Sequence, residues 1–381
     1  MEKRLFGRTG LPISVFTLGT MRFLHGWDEP HDSLPDDSLQ NAHEVISTAL
    51  SAGINLIETA RGYGKSERLI GQVLPRIPQA RNVFRLMSKA PPLESPRAMR
   101  QAVEESLTFL GVSRLDLFAL HGLNNPERCH LALRRGGSLE VLEKLRAEGL
   151  IGAIGFSSHA PLPLLLQTIA SNRFDFVNLH YYYFRPGNRA AVDLANALNM
   201  GLFIISPNDK GGSLYDAPQE LVRRTAPLHP VHFNERWLLS QPTVHTLSIG
   251  LSEAGHWDIH RQSLETSPYW GETERDIHLR LQQAMRSPLD RCPTCRQCLP
   301  CPEAIEIPEM LRLFTLATSL GMDFHTRYRY EMMSPGDNWM PGNRAEACTR
   351  CNDCLPRCPQ QLDIPAWMQQ FAKQFPRSNP P

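Results

Sequence analysis

The amino-acid sequence predicts an α/β protein in which a (β/α)8 TIM barrel is followed by a small, mainly helical, cysteine-rich domain. Three observations carry that prediction. Between Val15 and about Glu265, short β-branched or apolar runs alternate with amphipathic segments, the order of repeated βα units on a parallel sheet. Eight such units within ~250 residues is the arithmetic of a closed barrel. Of the 9 cysteines, all but Cys129 fall in two tight runs after Arg291, where the alternation has ended.

The predicted strands are 15–20, 55–60, 83–90, 115–122, 151–157, 176–183, 202–207 and 246–251. Helix-like stretches separate them at 40–51, 66–74, 97–110, 138–148, 163–171, 189–199 and 232–240. A doubly wound open sheet is the alternative, and it would normally carry a glycine-rich turn after the first strand. Here that strand ends Leu18-Gly19-Thr20-Met21-Arg22-Phe23, without G-x-G-x-x-G, which favours the barrel. Ahead of it, residues 4–7 and 11–14 flank Arg8-Thr9-Gly10, a hairpin suited to closing the barrel's amino-terminal floor. Past the eighth unit, a polar helical segment at 275–286 leads to Ser287-Pro288 and the first cysteine run. The expected domains are 1–275 and 285–375, with a frayed tail beyond them.

Composition narrows the function. With 41% hydrophobic and 21% charged residues the chain reads as an ordinary globular protein. Lys plus Arg (40) nearly cancels Asp plus Glu (39), so no broad positive field is available to hold a nucleic-acid backbone. The charged start Met1-Glu2-Lys3-Arg4 is not followed by an apolar signal core, and no run approaches ~18 apolar residues. Neither secretion nor membrane spanning is expected. Clustered thiols point to metal ligation in a reducing, cytoplasmic compartment.

Strand ends carry the chemistry. Glu58 and Tyr63 follow strand two, Lys89 closes strand three, and His121 closes strand four, so a barrel brings all four to one mouth. Hydride reduction of a carbonyl creates an alkoxide that must be protonated, and a tyrosine can donate that proton. Its ordinary pKa near ~10 is high, so a neighbouring ammonium that favours phenolate would help. Lys89 is the candidate ammonium, Glu58 the carboxylate that holds it, and His121 the group that orients the carbonyl.

Gly7-Arg8-Thr9-Gly10-Leu11-Pro12, residues 53–67, residues 116–121 and residues 149–159 together resemble the aldo-keto reductase family across the whole barrel. That resemblance implies an NAD(P)H-dependent carbonyl reductase with Tyr63 as general acid, Lys89 as its partner, His121 as substrate-orienting group and Glu58 as tetrad carboxylate. The family pattern has Asp where this chain has Glu58. The resemblance assigns nicotinamide contacts to Ser157 and Asn178, where family members usually carry Gln at the second position. It also makes residues 205–214, with Gly211 and Gly212, the loop that folds over the pyrophosphate. Residues 248–257 lack the Lys or Arg that would pair a 2′-phosphate, so NADP(H) and NAD(H) both remain open; Lys210 or Arg261 could substitute.

The cysteine runs are Cys292, Cys295, Cys298, Cys301 and Cys348, Cys351, Cys354, Cys358, each ending in Cys-Pro. The second matches C-x2-C-x2-C-x3-C-P, the bacterial ferredoxin spacing for a cubane cluster, in which the last cysteine ligates the neighbouring cluster. Eight thiolates suffice for two [4Fe-4S] clusters. Cys292, Cys295, Cys298 and Cys358 would hold one, and Cys348, Cys351, Cys354 and Cys301 the other. Structural zinc is the alternative, although it does not need four cysteines within ten residues. Between the runs, residues 307–320 read as one helix opened by Pro308. This tail resembles the ferredoxin-type dicluster domain of one bacterial branch of aldo-keto reductases. Cys129 reads as a bystander.

Three functions compete: a carbonyl reductase acting on a small-molecule substrate, an iron–sulfur electron-transfer protein serving a redox partner protein, and a redox sensor whose barrel only binds nucleotide. Hydride carries two electrons whereas a cluster normally exchanges one, and no flavin motif is present to convert between them. That favours the reductase.

Overall fold

The computed structural model describes residues 1–25, 32–209, 212–265, 268–285, 292–335 and 340–376. A two-stranded antiparallel hairpin, β1 (Lys3–Leu5) and β2 (Pro12–Ser14), opens the chain in the register Lys3 with Ser14. Eight parallel strands then close into a barrel: β3 (Phe16–Gly19), β4 (Leu56–Glu58), β5 (Arg85–Ala90), β6 (Leu115–Leu120), β7 (Ile151–Ser157), β8 (Phe176–Leu179), β9 (Gly201–Ile205) and β10 (Thr246–Gly250). Their order round the barrel follows the sequence, with β10 hydrogen-bonded to both β3 and β9. Every predicted strand is present. The third starts two residues later than expected because Val83 ends the short helix Ala80–Val83, and the sixth stops at Leu179.

Period-two alternation builds the interior. Leu56, Met87, Leu117, Ala119, Phe176 and Phe203 form one inner cluster with Phe6 and Ile13 of the hairpin region. The hairpin thus supplies the barrel's floor, with the Phe6 ring centroid 5.5 Å from that of Phe176. The intervening residues Ile57, Leu86, Phe118, Val177, Ile204 and Leu247 face outward into the larger core shared with the helices. Those helices carry local start and stop signals. Pro96–Leu110, for example, is capped by Ser95 Oγ accepting from Ala98 N at 3.4 Å, and stops at Gly111, whose φ of +64° suits a residue without Cβ.

By internal contacts the chain divides into two compact units: Met1–Gly211 with Asn234–Tyr269, and Gly212–Phe233 with Trp270–Pro381. The sequence expectation put the boundary at 275–285 and gave 212–233 to the barrel. The short helix Gln219–Thr225 instead packs on Glu272–Ala284, where the Arg280 guanidinium donates to the Ala226 carbonyl. The second unit is mainly helical. Ile307–Leu320 forms as predicted, with Pro308 in its first turn, and joins Asp323–Glu331 and Ile364–Gln374. Its core includes Met310, Leu313, Phe314, Tyr330, Met368 and Phe371, together with the buried thiols Cys298 and Cys354. No helix among the described residues is long and apolar enough to cross a membrane.

Candidate active site

One step beyond the apolar inner cluster, toward the carboxyl ends of the strands, alternation places polar side chains on the same inward face. Two residues after Leu56 comes Glu58, two after Met87 comes Lys89, two after Ala119 comes His121, and two after Phe176 comes Asn178. Ser157 follows the inward-facing Ala153 by four. The fold itself therefore gathers the residues singled out from sequence. Glu58, Lys89, Ser157 and Asn178 are buried, whereas Tyr63 and His121 are half-buried.

Glu58 is the hub. Its Oε1 contacts Lys89 Nζ in an ion pair and accepts from the Tyr63 hydroxyl at 3.4 Å. Its Oε2 accepts from Ser248 Oγ at 3.2 Å. Lys89 Nζ also donates to the Thr59 carbonyl at 2.8 Å and lies 4.6 Å from the Tyr63 ring centroid, over its face. The His121 ring meets that of Tyr63 edge-on, with centroids 5.7 Å apart. The four side chains meet, with the amine against the phenol's face and the carboxylate at its hydroxyl.

One sequence expectation is corrected here. Lys89 was to make the phenol more acidic, yet burial pushes Tyr63 above its ordinary value and pushes the Lys89 ammonium well below its own. Desolvation disfavours both charged forms. Tyr63 therefore keeps its proton at neutral pH, which is the form a donor to an alkoxide requires. An alkoxide is basic enough to take a proton from an unactivated phenol.

Ser157 Oγ accepts from Gly122 N at 2.9 Å, which leaves its own O–H to donate. Asn178 differs: both ends of its fully buried carboxamide, Oδ1 and Nδ2, have no hydrogen-bond partner. An unsatisfied amide of this kind costs about 1–3 kcal/mol, and a complementary amide would satisfy both ends at once. Gly212 has a φ of +74° and falls in the second unit, while Gly211 and Lys210 lie outside the described residues. Arg261 pairs with Glu265 at 2.7 Å and lines a groove with Met1, Glu2 and Ser51, at the floor side and not at the mouth.

Sequence reading missed Ser248, whose signal is its in-phase alternation with Thr246 and Gly250 on β10. It also missed the hydroxyl network behind the tetrad, in which Thr59 Oγ1 donates to Ser66 Oγ at 2.8 Å and Ser88 Oγ to Glu67 Oε1 at 2.5 Å. A Cβ on Gly250 would stand 3.0 Å from Arg22 Cδ, so Arg22 brings a cationic residue to the strand end that was read as lacking one.

The aldo/keto reductase family model matches residues 16–266, which is most of the barrel and more than half of the chain. This chain belongs to the aldo/keto reductase family. It is an oxidoreductase, and its relatives carry names of that class. The 6-dehydroglucose reductase of Novosphingobium aromaticivorans is 26% identical over 236 residues, 57% of this chain and 71% of that protein. The NADH-specific methylglyoxal reductase of Escherichia coli is 30% identical over 176 residues, 41% of this chain and 51% of that protein. Among solved structures, a Pseudomonas aeruginosa protein classed as an aldo-keto reductase is 26% identical with a TM-score of 0.54, covering 69% of this chain and 95% of that one. A holo-form aldo-keto reductase from Bacillus halodurans, 20% identical with a TM-score of 0.60 over 74% of this chain and 96% of that one, supports the fold. Aldo/keto reductases use NAD(P)H.

Both cysteine runs of this aldo/keto reductase lie beyond residue 266, and all 9 of its cysteines are free. Burial pushes the Cys298 thiol up to about 12 and the Cys354 thiol to about 11. Their neighbours form two groups that meet at Cys298 and Cys354. Cys292 lies near Cys295 and Cys358, and Cys298 near Cys292, Cys295 and Cys354. Cys354 lies near Cys348, Cys351 and Cys301, and these four line one hollow with Ile305, Ile364 and Met368. Among the described residues, no group of three or more His, Cys, Asp or Glu is arranged to hold a metal ion. Cys129 is buried, and its thiol lies 3.6 Å from Thr168 Oγ1, consistent with a packing role.

Proposed function

We propose that this aldo/keto reductase reduces an aldehyde or ketone to the alcohol with NADPH or NADH, and that its C-terminal unit is a ferredoxin-type domain holding two [4Fe-4S] clusters. The observation that carries the first half is the partnerless carboxamide of Asn178, buried on the same inner face as Glu58, Lys89 and His121. The donor set there fits a nicotinamide: Asn178 would pair with its amide and Ser157 would donate to it. When bound, the cofactor supplies hydride to the carbonyl carbon.

The remaining work belongs to this chain's side chains. His121 donates to the carbonyl oxygen and fixes its direction. Tyr63 hands its proton to the alkoxide oxygen as negative charge develops there. Glu58 and Lys89 hold the phenol in place through Oε1 and the ring face. Gly211 and Gly212 are assigned to the pyrophosphate by resemblance alone.

For the clusters, support comes from the C-x2-C-x2-C-x3-C-P spacing and from the way the thiols group. Cys292, Cys295, Cys298 and Cys358 would hold one cluster, and Cys301, Cys348, Cys351 and Cys354 the other. This grouping also favours a second reading, in which the clusters exchange single electrons with a redox partner protein or sense redox state, and the barrel only binds nucleotide. Free thiols in such number suit a cytoplasmic setting.

An anaerobic panel of aldehydes and ketones, assayed with NADH and NADPH beside an iron and sulfide count, tests both halves. Turnover that is lost in Tyr63→Phe and kept in Cys348→Ser supports the reductase. NADPH binding with no carbonyl reduced supports the second reading instead.

A further inference from the structure

We infer that Ser248 and Gly19 form a positioning device for Glu58: Ser248 holds Oε2 across the strand that separates them, through a gap that Gly19 leaves open, and so reserves Oε1 for Tyr63 and Lys89. The inference rests on the reductase reading above. Its geometry is unusual because β10 and β4 are not neighbours; β3 lies between them in the barrel. A hydrogen bond from Ser248 Oγ to Glu58 Oε2 at 3.2 Å must therefore pass over β3. It does so at Gly19, the residue paired with both Glu58 and Gly250 in the sheet register. A Cβ at Gly19 would stand 2.7 Å from Ser248 Oγ and 3.2 Å from Glu58 Oε2, inside the path of the bond.

The length of the carboxylate side chain matters here. Glu58 has one methylene more than aspartate, so its carboxylate can span from the β4 backbone to the hydroxyl on β10 while Oε1 still meets Lys89 and Tyr63. Both oxygens are then engaged, and the carboxylate has one orientation. Without the Ser248 hydroxyl, Oε2 is a buried acceptor with no partner, and the group is free to turn. The longer acid is thus matched to a hydroxyl that an aspartate would not reach.

A double-mutant cycle with two readouts tests this. In the otherwise native protein Ser248→Ala should lower kcat about 10-fold or more, the scale of a lost hydrogen bond to a charged group, with the NADPH dissociation constant unchanged. In a Glu58→Asp background the same substitution should cost less than about twofold. Gly19→Ala should reproduce the kcat loss. The second readout needs no turnover. In protein carrying ¹³C-labelled glutamate carboxyls, with the Glu58 signal identified from Glu58→Gln, Ser248→Ala should move the Glu58 titration to higher pH, because a hydrogen bond to the charged form has gone. An unmoved Glu58 titration in Ser248→Ala overturns the inference whether or not any carbonyl is reduced. An equal kcat loss in the native and Glu58→Asp backgrounds overturns it too. A native enzyme that reduces nothing sinks the reductase reading but leaves the titration to decide on Ser248.

Discussion

The barrel mouth and the cysteine-rich unit solve the same problem, gathering polar groups in an apolar surrounding, by opposite means. At the mouth, each group comes from a different strand and is tied to the protein by its own contacts: Glu58 to Lys89, Tyr63 and Ser248, Lys89 to Thr59, Ser157 to Gly122. Among the described residues named for this site, Asn178 is the exception, with both ends of its carboxamide unpaired. In the second unit the groups come from two short runs, and Cys298 and Cys354 sit inside the same core as Met310, Phe314 and Phe371. Burial pushes both thiols above their ordinary value. The contrast is between polar groups tied to one another by hydrogen bonds and an ion pair, and thiols set among apolar side chains.

The largest effect should come from breaking the second region. Cys354→Ser removes a buried ligand on the proposed cluster, so iron should fall from about eight to about four per chain. The helices Ile307–Leu320 and Ile364–Gln374 should become open to limited proteolysis while the barrel stays resistant. Loss of iron with an unchanged digestion pattern would show that this unit is as self-sufficient as the barrel. Next in size is Tyr63→Phe, which removes a proton donor and nothing of the packing. A fall in kcat of about 10²- to 10⁴-fold is expected, with NADPH affinity and melting temperature intact. A residual rate above a tenth of native would move the donor role to His121.

A smaller effect sharpens the comparison from the barrel's floor. His245 Nδ1 accepts from Leu202 N at 2.9 Å, and its ring meets Phe6 edge-on. Burial, with the nearby Arg4 charge, pushes it from 6.5 down to about 4. The unfolded chain takes up the proton first as pH falls, so stability present above about 6.5 is lost on the way down to about 4, by at most about 3 kcal/mol. Thermal unfolding of the barrel followed against pH should show that slope, and His245→Gln should flatten it.

The contrast also explains what was legible in the sequence. Strand ends were readable because period-two alternation is local, and Glu58, Lys89 and Asn178 each sit two residues past an apolar inner position. The two cysteine runs were readable because their spacing is local as well. What escaped depends on neighbours far apart in the chain. Ser248 acts on a residue 190 positions away, over a strand that belongs to neither partner. The acidity of Tyr63 was misjudged because the number of nearby charges can be read from sequence, while the depth of desolvation cannot. The placement of 212–233 with the second unit goes with contacts that no motif marks, such as Gln219–Thr225 on Glu272–Ala284 and the Phe233 ring against Trp270.

At Asn178 the barrel mouth buries a polar side chain without a hydrogen-bond partner, and the smallest predicted effect tests it. A buried carboxamide with neither end paired destabilises the empty barrel, so Asn178→Leu should raise its stability by about 1 kcal/mol in denaturant unfolding without ligand. The same substitution should weaken NADPH binding about 10-fold, since the ligand loses an amide partner whose desolvation the protein had already borne. Opposite signs in the two measurements mark a residue kept for its ligand at the expense of the fold. If instead the variant loses stability and binds NADPH normally, Asn178 is a structural strand residue, and the nicotinamide must be held from Ser157 and the loops around it.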